Sequence, residues 1–224
     1  MENVSLGRDV TIGNNVTIYP GTALRDGITI GDNSVLGKQP KPAKTSTVKI
    51  EGELPPLVIG TNTIIGTGAV IYAGTTIGEN CLVADLASIR EECVISGYVI
   101  IGRGVAVENR VTIGSYTKIQ TGAYITAYTT IEDQVFIAPM VTTTNDNFMG
   151  RTQERFKLIK GPTIKRGARV GGGAITLPGV TIAEESFIAA GALVTRDTKA
   201  GLLYKGQPAR SAREVPPAEM LAAD

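Results

Sequence analysis

Histidine is absent from the 224 residues of this chain. That removes the commonest general base near neutral pH and the commonest nitrogen ligand for a metal. Two cysteines, Cys81 and Cys93, are the only thiols. A structural zinc site needs more ligands than they supply, so no metal is expected. Carboxylates are then the remaining candidates for moving a proton. Asp146 stands in an Asn-Asp-Asn run and Glu132 stands beside Asp133. Both have a bland reading too: Asn-Asp-Asn closes turns through side-chain-to-backbone bonds, and an acidic pair suits a polar corner.

The rest of the chain must position these groups, and its organisation is a repeat. Leu6, Ile12, Ile18, Leu24, Ile30 and Leu36 recur every six residues. From Ile59 to Ile137 the same spacing runs without a slip, and Ile164, Val170, Ile182, Ile188 and Val194 continue it. Thr176 fills one off-pattern slot. Neither a helix nor a solvent-facing strand has this period. Two positions before each aliphatic slot stands a small or β-branched residue such as Val10, Thr63, Ala69 or Thr75. Three positions after it, Asn or Gly recurs: Asn15, Gly21, Asn33, Asn62, Gly68, Gly74, Asn80, Gly104 and Gly122. These types tolerate the left-handed backbone of a tight corner. Short strand, corner, short strand is a solenoid. Cys81 and Cys93 fall in inward slots of different faces, so they read as buried, reduced and unstacked thiols.

The repeat fails twice. Residues 37–56 are rich in Pro and Lys, like a mobile flap. Residues 142–162 contain Phe148, Met149, Phe156 and Leu158, which can dock. Long loops without repeats of their own usually carry function or are disordered, so both are expected to border a site. Beyond Val194 a tail, 197–224, is expected to cap the open coil, with a short helix over Pro217–Ala223. Net charge is +1, so nothing draws nucleic acid. No apolar run approaches the length of a membrane helix and the first residues lack the form of a signal peptide; a cytoplasmic protein is expected.

The units "VTIGNN", "TIIGTG", "TTIGEN" and "VTIGSY" resemble those of the hexapeptide-repeat acyltransferases. The resemblance implies an all-β, left-handed parallel β-helix forming a single domain over residues 1–224, with two inserted loops and a short C-terminal cap. It also implies triangular coils of three units, a homotrimer, and acetyl-CoA as cosubstrate lying between subunits. The stretch "VTIGSYTKIQTGAYITAYTTIEDQVFIAPMVTTTNDN" is similar to the nucleotide-sugar N-acetyltransferase branch, and "IAAGALVTRDTKAGLLYKGQPAR" to its coenzyme-A end.

That branch acetylates a sugar amine without histidine, which suits this chain. An unprotonated amine is already a competent nucleophile toward a thioester and needs mainly positioning. By resemblance, Gln120, Asn145 and Asp146 are candidates for the acceptor pocket, with Asp146 orienting the amine or taking its proton. Arg90 and Arg151 are candidates for pairing a sugar diphosphate. One departure stands out: Thr121 and Gly122 follow "KIQ" where the family usually carries Asn. For the cofactor, Gly172 and Gly173 lie one coil before Ala190 and Gly191, a small-residue edge along which a pantetheine arm can lie. Arg196, Lys199, Lys205 and Arg210 are candidates for its phosphates. The alternatives are an O-acyltransferase with a carboxylate base, and a non-catalytic β-helix scaffold.

Overall fold

The structure is a computed structural model, described over residues 3–46, 49–50 and 52–222. Most of its strands are two residues long, and they stack into three sheets of 9, 11 and 9 strands, parallel except for the last strand of the second. Up to Leu193–Val194 the chain visits these faces, here A, B and C, in strict rotation. It is a left-handed β-helix.

Each strand pairs in register with the one a coil later, as Thr76 with Val94 and Ile77 with Ile95. Three columns of inward side chains result, for example Ile59, Ile77, Ile95, Ile113 and Ile131 on face A, all buried. Burying each is worth roughly 1.5–3 kcal/mol. β-Branched Ile and Val suit these columns because the extended backbone leaves their preferred rotamer free and parallel strands here are covered on the inner side. All nine Asn and Gly positions that the sequence assigns to corners have positive φ, from Asn15 at 54° to Gly21 at 80°. Cys81 and Cys93 are buried and unbonded to each other.

Coils also touch backbone to backbone. A Cβ on Gly171 would lie 2.5 Å from the Ala190 nitrogen of the next coil, so this position excludes every other residue.

Thr143 shows how the coil releases the second loop. Its slot belongs to the aliphatic column of face C, and the expected break at 142 comes two residues too early: Thr142–Thr143 is still a strand of that face. On this face Tyr19, Arg90, Glu108 and Leu177, each just after a strand, donate to a backbone carbonyl of the next coil, as Glu108 N–H does to Ile125. Thr126 N–H donates instead to Thr143 Oγ1, at 2.8 Å. The hydroxyl thus replaces a ladder carbonyl where the backbone begins to leave. Thr176, beside it, is equally buried, but its hydroxyl has no partner.

The C-terminal cap is chiefly a hairpin, not the expected helix. Leu202–Lys205 adds to face B beside Phe187–Ile188, and Arg210–Glu214 returns antiparallel to it. Tyr204 packs against the core from that strand. Only Pro217–Glu219 is helical, as one 3₁₀ turn; Pro216 before it is extended, the conformation that a following proline imposes, and Ala223 lies outside the described residues.

Thr143→Val is expected to strip Thr126 N–H of its acceptor and cost about 1–3 kcal/mol. Thr176→Val, which removes an unpaired hydroxyl, should be neutral or stabilising. Denaturant midpoints of the two variants check the contrast.

Candidate functional site

Both insertions leave the helix at one edge. The first departs after Val35–Lys38 on face C and returns at Val58–Ile59 on face A; the second departs after Thr142–Thr143 and returns at Thr163–Ile164. Each therefore emerges at the C–A edge. Gln39 closes the first, exchanging two hydrogen bonds of 3.0 and 3.1 Å with the backbone of Leu54. The two loops and the edge between them enclose a cavity of about 500 Å³.

Its walls come from three sources. Lys49 and Ile50 belong to the first loop; Asn145, Asp146, Arg155, Phe156 and Ile159 to the second. The floor is the coil edge itself: Glu92, Glu108, Asn109, Arg110, Tyr124, Thr126, Ala127 and Tyr128. Glu92, Arg110 and Tyr128 hold positive φ of 58°, 58° and 65° in successive coils, a conformation costly for such side chains.

Most charges here are paired. Arg110 Nε donates to Glu92 at 2.9 Å, and this bond holds the guanidinium above its usual pKa. Asp146 accepts from Phe148 N–H at 2.8 Å, Gly150 N–H at 2.9 Å and Arg155 at 2.7 Å. The Gly150 bond first, with Phe148 and Arg155 assisting, holds its carboxyl below the usual carboxylate range. Asp146 therefore closes the loop as an Asx turn while lining the cavity. The geometry suits an acceptor that orients a group more than one that takes a proton. Below the floor, Cys93 donates to the Glu108 carbonyl at 3.1 Å. Burial pushes that thiol up to about 12, so it stays protonated and is no nucleophile.

Among the other candidates, Asn145 lines the cavity with Asp146. Gln120 does not: it sits on the B–C edge, across face C, because 25 residues separate it from Asn145 and a coil is 18. Arg90 stands beside the cavity, but its guanidinium grips Glu91 at 2.8 and 2.9 Å and covers the Tyr72 ring. It offers no open fork for a diphosphate. Arg151 is exposed outside the lining. Glu132 and Asp133 are corner groups, bonded to Lys165, Arg166 N–H and Ser115 N–H.

The small-residue edge is the B–C edge. Gly191 N–H donates to Gly172 at 2.9 Å, which sets the two coils in the expected register. Nothing lies within 4 Å of a Cβ built on Gly173 or Gly191. The amides of Gly172 and Ala190 donate to no group among the described residues. Lys205 and Arg210 pair across the hairpin at the end of this edge. Arg196 and Lys199 lie apart from it: Asp197, next to Arg196, accepts from Thr181 on face A, and the Lys199 carbonyl accepts from Ser186 beyond it.

Glu92, Glu108, Asn109, Arg110, Tyr124 and Tyr128 were not singled out in the sequence. Register was the signal: stepping back from Asn145 by one coil gives Ala127 and by two gives Asn109.

With this geometry in hand, known proteins can be set beside it. The pattern described as "Bacterial transferase hexapeptide (six repeats)" matches residues 1–39 and 56–91. The pattern "Hexapeptide repeat of succinyl-transferase" matches residues 163–196. The chain is a hexapeptide-repeat protein of the left-handed β-helix class, carrying the repeat of bacterial transferases near both ends. It is 50% identical over 46 residues to a putative acetyltransferase of Schizosaccharomyces pombe; this spans 20% of the chain and 22% of that protein. A UDP-N-acetylglucosamine acyltransferase from Campylobacter jejuni shares the fold at a TM-score of 0.55 and 15% identity, over 95% of this chain and 71% of that one. A mutant N-acyltransferase from Bacillus cereus, in complex with dTDP and coenzyme A, aligns at a TM-score of 0.44 and 19% identity, over 71% and 84%. Among the described residues, no helix is long and apolar enough to cross a membrane, and no cluster of three or more His, Cys, Asp or Glu is placed to hold a metal.

Asp146→Asn is expected to loosen residues 144–162 while the coil melts as before; faster limited proteolysis of that loop checks it. The depressed carboxyl anchors the loop above the usual carboxylate range and releases it as pH falls through its own lower value. Hydrogen-exchange protection of the Phe148 and Gly150 amides should fall in that window.

Proposed function

We propose that this protein is an acetyl-CoA-dependent N-acetyltransferase acting on the amino group of a nucleotide-linked sugar. The observation that carries the proposal is the convergence of both insertions on one cavity lined by carboxylates and by the rings of Tyr124, Tyr128 and Phe156. Flat rings cover the apolar faces of a sugar or a base, and carboxylates attract an ammonium group. The 50%-identical stretch shared with a putative acetyltransferase supports acyl transfer, and the absence of histidine favours an amine acceptor. The two long loops and the small-residue edge weigh against a bare scaffold.

Asn145 and Asp146 orient the acceptor in this reading. Gly172, Gly173, Ala190 and Gly191 receive the pantetheine arm, with the unbonded amides of Gly172 and Ala190 facing its carbonyls. Lys205 and Arg210 meet the phosphates. Gln120, on the same edge, belongs with the cofactor rather than the sugar. Within one chain the cavity and this edge border opposite sides of face C, so a site using both draws on two copies. A homotrimer is the assembly that the family resemblance implies.

Calorimetric titration with coenzyme A tests the proposal, and no binding at millimolar cofactor would sink it. Gly172→Val is the companion variant. Its nearest neighbour would be Pro139 O at 3.4 Å, so the coil should survive. Cofactor affinity should fall about tenfold, or about 1.4 kcal/mol; unaltered affinity would remove this edge from the site.

A further inference from the structure

We infer that Glu108 and Asn109 hold the acceptor amine, Glu108 taking its proton and Asn109 fixing its direction; this rests on the N-acyltransferase reading. The first observation is a charge left over. Arg90 makes a bidentate pair with Glu91, which is 1% exposed, and only a 3.7 Å contact with Glu108. Two carboxylates thus share one guanidinium, and the surplus negative charge faces the cavity on Glu108, whose side chain is 27% exposed. Glu92 and Asp146, the other cavity carboxylates, each have a cation at 2.9 Å or closer. No donor hydrogen-bonds the Glu108 carboxylate among the described residues.

The second observation is independent. Asn109 is 5% exposed and lines the same cavity, yet its side-chain amide makes no hydrogen bond among the described residues. Its polar atoms are not sealed in, so what exposure they keep is toward the cavity. An amide set this deeply, with its free polar atoms reaching only the cavity, is placed to hydrogen-bond a group that enters there. One carboxylate with only a 3.7 Å ion contact and one amide without a hydrogen-bond partner, adjacent in sequence on one coil edge, fit a primary ammonium. It carries one positive charge and several N–H donors.

The chemistry balances. The bound ammonium gives one proton to Glu108 and becomes a neutral amine. Its nitrogen attacks the thioester carbonyl; the C–N bond forms and the C–S bond breaks. The second proton leaves on the coenzyme-A sulfur, and Glu108 returns the first to solvent.

The test uses full-length protein and a panel of UDP- and dTDP-linked sugars with amines at carbons 2, 3 and 4, read by thiol release from acetyl-CoA. Glu108→Gln, isosteric and neutral, should lower kcat about 100-fold and move the acidic limb of the kcat/KM profile up to the titration of the acceptor's own ammonium group. Asn109→Ala should raise the acceptor KM about tenfold. Neither should change coenzyme-A affinity, and Asn109→Ala should leave the melting temperature in place, since no bond is lost. Wild-type protein that binds coenzyme A but acetylates no amine in the panel overturns the N-acyltransferase reading and this assignment with it. Wild-type turnover with both variants at wild-type kcat, KM and pH profile overturns the assignment alone.

Discussion

Every feature of this protein depends on in-register parallel pairing of residues one coil apart. Backbone N–H and C=O groups must be satisfied, and two-residue strands can satisfy them only against the coils above and below. Once Thr76 pairs Val94, every residue of a coil has a fixed neighbour. Ile then stands over Ile, corner over corner, and Gly171 lies against the Ala190 backbone. The same rule stacks Glu92, Arg110 and Tyr128 into one outward column and the buried Glu91, Asn109 and Ala127 into the column beside it.

A regular solenoid has no concavity, so the cavity requires departures from the rule. Both occur at the C–A edge, separated by five coils of face C. Because that separation is a whole number of coils, the loops emerge on one side and meet. Thr143 lets the second loop depart without leaving the Thr126 amide bare. Asp146 then ties the loop down through two backbone amides and Arg155. Structural and functional demands thus fall on one short segment.

Electrostatics give the cavity its direction. Close ion pairs offset the charges of Glu92 and Asp146, so each draws an ammonium less strongly than a carboxylate without a close cation, while Asp146 keeps its place at the cavity wall. Arg90, taken from sequence as a phosphate ligand, is spent on Glu91. Its commitment leaves Glu108 undercompensated, and that carboxylate faces the open space. In a recess walled by protein such an imbalance counts for more than it would in open water.

The sequence alone determined the coil: six-residue spacing, corner residues with positive φ, and the absence of histidine are local facts that each unit repeats. It also located both loops and the small-residue edge, because one-coil arithmetic reaches Ala190 from Gly172. It did not assemble the cavity. Gln120 and Asn145 look like partners along the chain yet lie across face C, and Glu108 and Asn109 look like an ordinary polar corner. Tertiary structure decided these placements. An edge is assigned by position modulo the coil length, whereas the path of a loop and the pairing of a charge depend on which side chains the stacking brings together.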